Sequence, residues 1–97
     1  MRLDEAERLE AMAALPQWTY DAAVPAIRRR FTFRDFREAW AFMSRVAAAA
    51  EAMDHHPDWS NSWNRVDIAL TTHSEGGVTA LDVALAREMD ALAATLP

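Results

Sequence analysis

Apolar residues along this chain change their period several times, and each change marks an element. Leu3, Ala6, Leu9, Met12 and Ala13 recur at helical spacing. They predict a first helix over Asp4 to Leu15, with Asp4 as a possible N-cap and Pro16 as its end. Gln17 to Ala22 reads as a short strand with Trp18 and Tyr20 on one face. After Pro25, Ile27, Arg29, Phe31 and Phe33 alternate with Arg28, Arg30 and Thr32, the pattern of a half-buried strand. Arg34 to Met53 is the longest element, a helix with two apolar stripes. Phe36, Trp40, Met43, Ala47 and Ala50 form one stripe, and Phe42, Val46, Ala49 and Met53 form a flanking one. His56-Pro57 ends this helix, because the residue before a proline is pushed out of the α region.

Pro57 to Trp63 is polar and aromatic and reads as a loop. Arg65 to Thr72 alternates again, with Val66, Ile68 and Leu70 opposite Asp67, Ala69 and Thr71. Gly76-Gly77 breaks the chain. Thr79-x-x-Asp82 then opens a last helix as a capping box with Asp in place of the usual Glu. It runs to about Ala94 and is predicted to bury Leu81, Ala84, Leu85, Met89 and Leu92. The order helix, strand, strand, helix, strand, helix predicts an α+β fold, an antiparallel sheet with helices packed on one face. Phe31, Phe33, Phe36, Trp40 and Phe42 read as its core.

The length of 97 residues implies one domain over 1–97 with a modest core. The long helix carries more apolar surface than one sheet face covers. One stripe is expected on the sheet and the other on a symmetry-related helix, with the alanines of the second stripe allowing close approach. A closed homo-oligomer follows, with a tetramer slightly ahead of a dimer. There is no cysteine, which removes disulfides, thiolate nucleophiles and sulfur ligands and suits a cytoplasmic protein. The N-terminal residues form no signal peptide, and no apolar run approaches the ~20 residues of a membrane span. A net charge of −5 argues against nucleic acid as a partner. Arg28-Arg29-Arg30, the one basic cluster, reads as a solvated strand face rather than an anion site.

The chemistry concentrates in one third of the chain, where all three histidines fall: His55, His56 and His73. Imidazole is the side chain suited to proton transfer near neutrality. Glu51 lies four residues before His55, one helical turn away, and is placed to orient that ring. His73 ends a strand on the side opposite Val66, Ile68 and Leu70. Taken singly, these features have structural readings. His55-His56-Pro57 suits a helix-terminating loop, with imidazolium near the negative helix end. Asp82 suits a helix cap, and Trp59 and Trp63 suit packing. Three histidines could also hold zinc, but adjacent ones rarely reach one ion, so no metal is expected.

Together, Glu51, His55, His56, Pro57, Trp63, His73 and Asp82 spell E-x3-H-H-P, an aromatic, a histidine and an aspartate. This pattern resembles the pterin-4a-carbinolamine dehydratases, and the resemblance runs from about Leu9 to Leu92. Phe31-Thr32-Phe33-x-x-Phe36, Phe42-Met43-x-Arg45-Val46-Ala47 and Leu70-Thr71-Thr72-His73 are similar to family sequence as well. Trp63 stands where tyrosine is frequent, and Ser74-Glu75-Gly76-Gly77 departs from the commoner loop. The resemblance implies a four-stranded sheet with three helices on one face. The remaining strand would come from near Trp59 to Asn64, or from the start of the second strand.

The resemblance also implies a reaction, dehydration of 4a-hydroxytetrahydropterin to quinonoid dihydropterin, which recycles the cofactor of aromatic amino acid hydroxylases. The pterin would be substrate, with no cofactor. His55 and His73 would be the acid–base pair, and His56 would bind and polarise the substrate. Asp54, Pro57, Thr71, Thr72, Ser74 and Asp82 would surround the pterin together with Glu51, and Trp18 would close one side. Two other readings stay open. One is a protein-binding module that stabilises a transcription factor's dimer. The other is a dehydratase of another pterin, linked to molybdenum cofactor metabolism. Retention of all three histidines favours an enzyme.

Overall fold

The computed structural model describes residues 1–96. In chain order the elements are α1 (Glu5–Ala13), β1 (Thr19–Asp21), β2 (Ala26–Thr32), α2 (Phe36–Met53), β3 (Asp58–Ser62), β4 (Arg65–Leu70) and α3 (Ala80–Ala94), with one 3₁₀ turn at His73–Glu75 before α3. The strands form one antiparallel sheet in the order β1-β2-β4-β3. Its inner face presents Ile27, Phe31, Val66, Ile68 and Leu70, and α2 and α3 cover them with Ala39, Phe42, Val46, Ala50, Leu85, Ala86 and Met89. α1 lies at the rim of the same layer. Leu3 N–H donates to the Val78 carbonyl at 2.9 Å before α1 begins, and the Arg8 guanidinium stacks 3.9 Å over the Tyr20 ring. The fold is therefore the expected α+β arrangement. Among the described residues, no helix is long and apolar enough to cross a membrane.

β3 is the strand that a polar segment conceals. Asp58, Ser60, Asn61 and Ser62 have low strand propensity, but pairing with β4 from Asp58↔Ala69 to Ser62↔Arg65 overrides it. Trp63 and Asn64 make the two-residue turn, with Trp63 in the left-handed region at φ 49°. The Asn61 amide steadies the turn by donating to the Trp63 and Arg65 carbonyls at 3.2 and 2.8 Å.

Three burial expectations are corrected. On α2 the sheet-facing residues are Ala39, Phe42, Val46 and Ala50, so the stripe headed by Phe42 is the core stripe. Phe36 and Trp40 lie 48% and 59% exposed, stacked on each other at 6.4 Å rather than in the core. The two stripes have similar apolar content, so periodicity alone could not rank them. The fit of the Phe42 ring, 4.6 Å from Phe31 and 5.0 Å from Phe33, decides the phase. Leu81 and Ala84 on α3, expected inside, are exposed, as is Leu9 on α1.

Arg29 points to the inner face and is accommodated there by two contacts. Its guanidinium lies 4.0 Å over the Phe31 ring and donates to Asp90 at 2.6 Å. Asp90 also accepts from the Trp18 indole at 2.9 Å. Trp18, only 4% exposed and edge-on to Phe31, is thus a core residue and closes no pocket.

α2 ends in a left-handed turn. Asp54 has φ 51° and ψ 42°, its N–H donates to the Glu51 carbonyl at 3.1 Å, and the His55 N–H donates to the Ala50 carbonyl at 3.0 Å. This pair of bonds is a Schellman cap, in which glycine is the unstrained residue. Asp54→Gly is expected to raise unfolding free energy by about 0.5–1 kcal/mol. Equilibrium denaturation measures it, and a destabilised variant would mean that the Asp54 side chain contributes a contact outweighing its backbone strain.

Candidate active site

Four segments meet at one end of the sheet: the C-terminus of α2, the start of β3, the end of β4 and the N-terminus of α3. β4 ends beside the start of β3 because the two are antiparallel. The chain after β4 is pinched by a bridge between Thr72 and Gly77. Thr72 N–H donates to the Gly77 carbonyl at 2.9 Å, and the 3₁₀ turn between them carries His73 outward. Gly76 closes that turn at φ 72°, where a side chain would be strained.

Each of the three histidines meets a carboxylate through its Nε2 atom. His55, 8% exposed, is bonded at 2.5 Å to Asp82, which is fully buried. His56 is bonded at 2.9 Å to Glu51, both exposed. His73 stands 3.4 Å from Asp58, an open ion-pair contact longer than a direct hydrogen bond. A carboxylate accepting from Nε2–H leaves Nδ1 as the ring atom available for proton exchange.

Asp82 is the centre of the buried part. As the third residue of α3 it caps the helix, its Oδ2 accepting from the Thr79 backbone N–H at 2.8 Å. The same oxygen accepts from the Thr72 hydroxyl at 2.9 Å. That hydroxyl in turn accepts from the Thr79 hydroxyl at 2.8 Å. A cavity of about 350 Å³ is lined by Thr71 and His73, the neighbours of Thr72 in the chain, with Val24, Pro25, Arg28 and Asp58 among others. The Thr71 hydroxyl donates to the Pro25 carbonyl at 2.8 Å and holds the β1–β2 connection against the end of β4. Among the described residues, no three His, Asp or Glu side chains are grouped so as to hold a metal ion.

The family model for pterin 4 alpha carbinolamine dehydratase matches residues 1–92. The chain belongs to the pterin-4-alpha-carbinolamine dehydratase family. A relative from Rhizorhabdus wittichii is 58% identical over 94% of both chains, and one from Rhodospirillum rubrum is 54% identical over 92% of this chain and 93% of its own. Both carry the dehydratase name provisionally. The solved structure of a transcriptional coactivator/pterin dehydratase from Brucella melitensis matches at a TM-score of 0.93 and 50% identity, over 96% of this chain and 99% of that one. A pterin dehydratase-like protein identified as a RuBisCO assembly factor in the alpha-carboxysome matches at a TM-score of 0.69 and 27% identity, over 79% of this chain and 89% of its own.

Within this dehydratase family frame, the residues marked by the sequence motif divide into three groups. His55, Asp82 and Thr72 join in the buried network, while Thr71 and His73 line the cavity. Glu51, His56 and Asp54 lie exposed around the end of α2, and Ser74 is exposed on the His73 turn. Pro57, half-buried, leads directly into β3. Trp63 stands apart at the hairpin tip, 64% exposed. Glu51 orients His56, not His55; the carboxylate on His55 is Asp82, so the cap and the histidine partner are one residue. One member of the set was not anticipated. Asp58, partner of His73, follows His-His-Pro directly, and only recognising β3 as a strand would have aimed it at the neighbouring end of β4.

All three protein groups on Asp82 donate to it. In Asp82→Asn the amide NH₂ must either face the Thr72 hydroxyl and the Thr79 N–H, donor against donor, or face His55 and force its Nε2 to accept, moving the ring proton to Nδ1. Loss of about 1–3 kcal/mol of stability is expected from denaturant midpoints. A change below about 0.5 kcal/mol would mean that the three donors do not depend on the Asp82 charge.

Proposed function

We propose that the protein dehydrates 4a-hydroxytetrahydropterin to quinonoid dihydropterin by histidine acid–base catalysis, and so recycles the pterin cofactor of aromatic amino acid hydroxylases. The observation that carries the proposal is the set of three imidazoles, each met at Nε2 by its own carboxylate, one of which, His73, lines a cavity. The reaction breaks the C4a–O bond. The leaving oxygen gains a proton and departs as water, and N5 loses its proton. The step is redox-neutral and needs one proton delivered and one removed, which imidazoles near neutrality do well.

His73 and His55 take the acid–base roles, with Asp58 beside the first and Asp82 fixing the second. His56, oriented by Glu51, binds and polarises the substrate. Asp54, Thr71 and Ser74 contact the pterin. Neither cofactor nor metal has a role in this scheme, since each histidine is committed to a separate carboxylate. The test is an ultraviolet assay of carbinolamine loss. His73→Ala and His55→Ala, checked for folding, should each lower the rate on the order of 10²–10⁴-fold. Chelator should leave the wild-type rate intact. Near-wild-type turnover by either variant removes that residue from its role, and zinc-restored activity would return the histidines to a metal site.

The outward face of α2 supports a second reading, compatible with the first. Phe36 and Trp40 form an exposed aromatic pair, followed along the face by half-buried Met43 and exposed Ala47. We propose that this face joins a second copy of the chain in a closed homo-oligomer, a tetramer or a dimer. Sedimentation at micromolar concentration should give an oligomer that Trp40→Glu dissociates. An active wild-type monomer would overturn the proposal.

A further inference from the structure

The face of the sheet turned away from the helices is open, and its side chains line up in rows. Thr19, Arg28, Ala69 and Asp58 stand side by side across β1, β2, β4 and β3. The next row holds Arg30, Asp67 and Ser60. Between these rows lies a basin of about 460 Å³. Arg28, Asp58 and Ala69 line both this basin and the cavity beside His73, so the two spaces adjoin. The floor between Arg28 and Asp58 is a single methyl group, that of Ala69, which leaves both longer side chains standing as walls.

The charges here are already matched. Arg30 donates to Asp67 through Nε at 2.7 Å and through its terminal nitrogen at 3.4 Å. That hydrogen bond and the charge of Asp67 raise the Arg30 pKa. Arg28 gives only its Nε to Asp21, at 3.0 Å. Its guanidinium terminus offers further donors toward the shared space. Arg30 is engaged by Asp67, Arg28 in part by Asp21, and Arg29 by Asp90 on the inner face, so little unpaired positive charge is left to hold a phosphate. A donor wall facing an acceptor wall suits a neutral group that both donates and accepts, and adjacent hydroxyls are such a group.

We propose that Arg28, with Asp58 across Ala69, forms a subsite on the open sheet face that takes a polyol side chain at C6 of the pterin, making Arg28 a specificity-determining residue. This rests on the pterin reading of the His73 cavity. The ring occupies that cavity, and its substituent crosses the shared border onto the sheet.

The test compares kcat/KM for carbinolamines bearing a methyl, a dihydroxypropyl or a phosphorylated hydroxypropyl group at C6, in wild type, Arg28→Ser and Arg28→Lys. The ratio of dihydroxypropyl to methyl substrate should fall about tenfold in Arg28→Ser, the worth of one charge-assisted hydrogen bond, and by less in Arg28→Lys. The phosphorylated substrate should trail the diol in wild type. An equal fall on methyl and diol substrates, an unchanged ratio, or a preference for the phosphorylated substrate overturns the subsite. Calorimetric binding of dihydropterins with and without the diol separates the two claims. If the wild type turns over no carbinolamine but its diol preference in binding still depends on Arg28, the subsite stands and the reaction fails. If binding shows no such dependence, the subsite fails by itself.

Discussion

Burying the carboxylate of Asp82 costs several kcal/mol of hydration, and the surrounding structure is arranged to offset that cost. Three donors converge on it: the His55 ring, the Thr72 hydroxyl and the Thr79 backbone N–H. They come from the second residue after α2, the second residue after β4 and the cap of α3. One side chain therefore joins the ends of three elements, and removing any donor leaves a buried anion undercompensated. Charge-assisted hydrogen bonds of this kind are short and directional. They hold the ring of His55 and the root of the His73 turn in one frame, so the chemistry of the site and the stability of the helical layer share a residue.

The way α2 ends matters as much as its length. The Schellman turn at Asp54 reverses the backbone and delivers His55 inward and His56 outward. Adjacent histidines thereby enter different surroundings, one closed around Asp82 and one open beside Glu51. Pro57 then prevents any return to helix and starts β3, which sets Asp58 opposite Ala69 and within reach of His73. Seven consecutive residues from Asp54 to Ser60 thus pass from helix cap to buried histidine to strand without a spacer.

Alternation and helical period made β2, β4 and the helices readable, since each has one apolar and one polar side. Two failures have physical causes. β3 has a polar sequence and is held by its neighbour rather than by burial of its own, so its local pattern reads as a loop and only the family resemblance pointed to a strand near Trp59 to Asn64. The phase of α2 depended on which aromatic ring fits between Phe31 and Phe33, a matter of shape that hydrophobicity does not encode. The site was legible as a set of residue types, but its pairings were not. Spacing favoured Glu51 with His55 because the pair is one turn apart on an ideal helix. The left-handed residue at Asp54 rotates His55 off that helix and brings His56 to Glu51 instead. The partner of His55 lies 27 residues on, a distance that only the fold can close.

The sheet gives a reason for the proposed reaction to sit at an edge rather than in a deep pocket. Its inner face is filled by α2 and α3, with even Arg29 neutralised by Asp90 and stacked on Phe31. No space remains there for a bicyclic substrate. Its outer face is polar, and the rows of Arg and Asp are mutually paired. In the proposed reaction the pterin would enter from the outer side and reach His73 at the end where β3 and β4 meet. A substrate held this way keeps one edge in solvent, where water can leave. A shallow site of this kind suits a reaction whose barrier is a matter of two proton transfers, because it needs well-placed imidazoles more than exclusion of water.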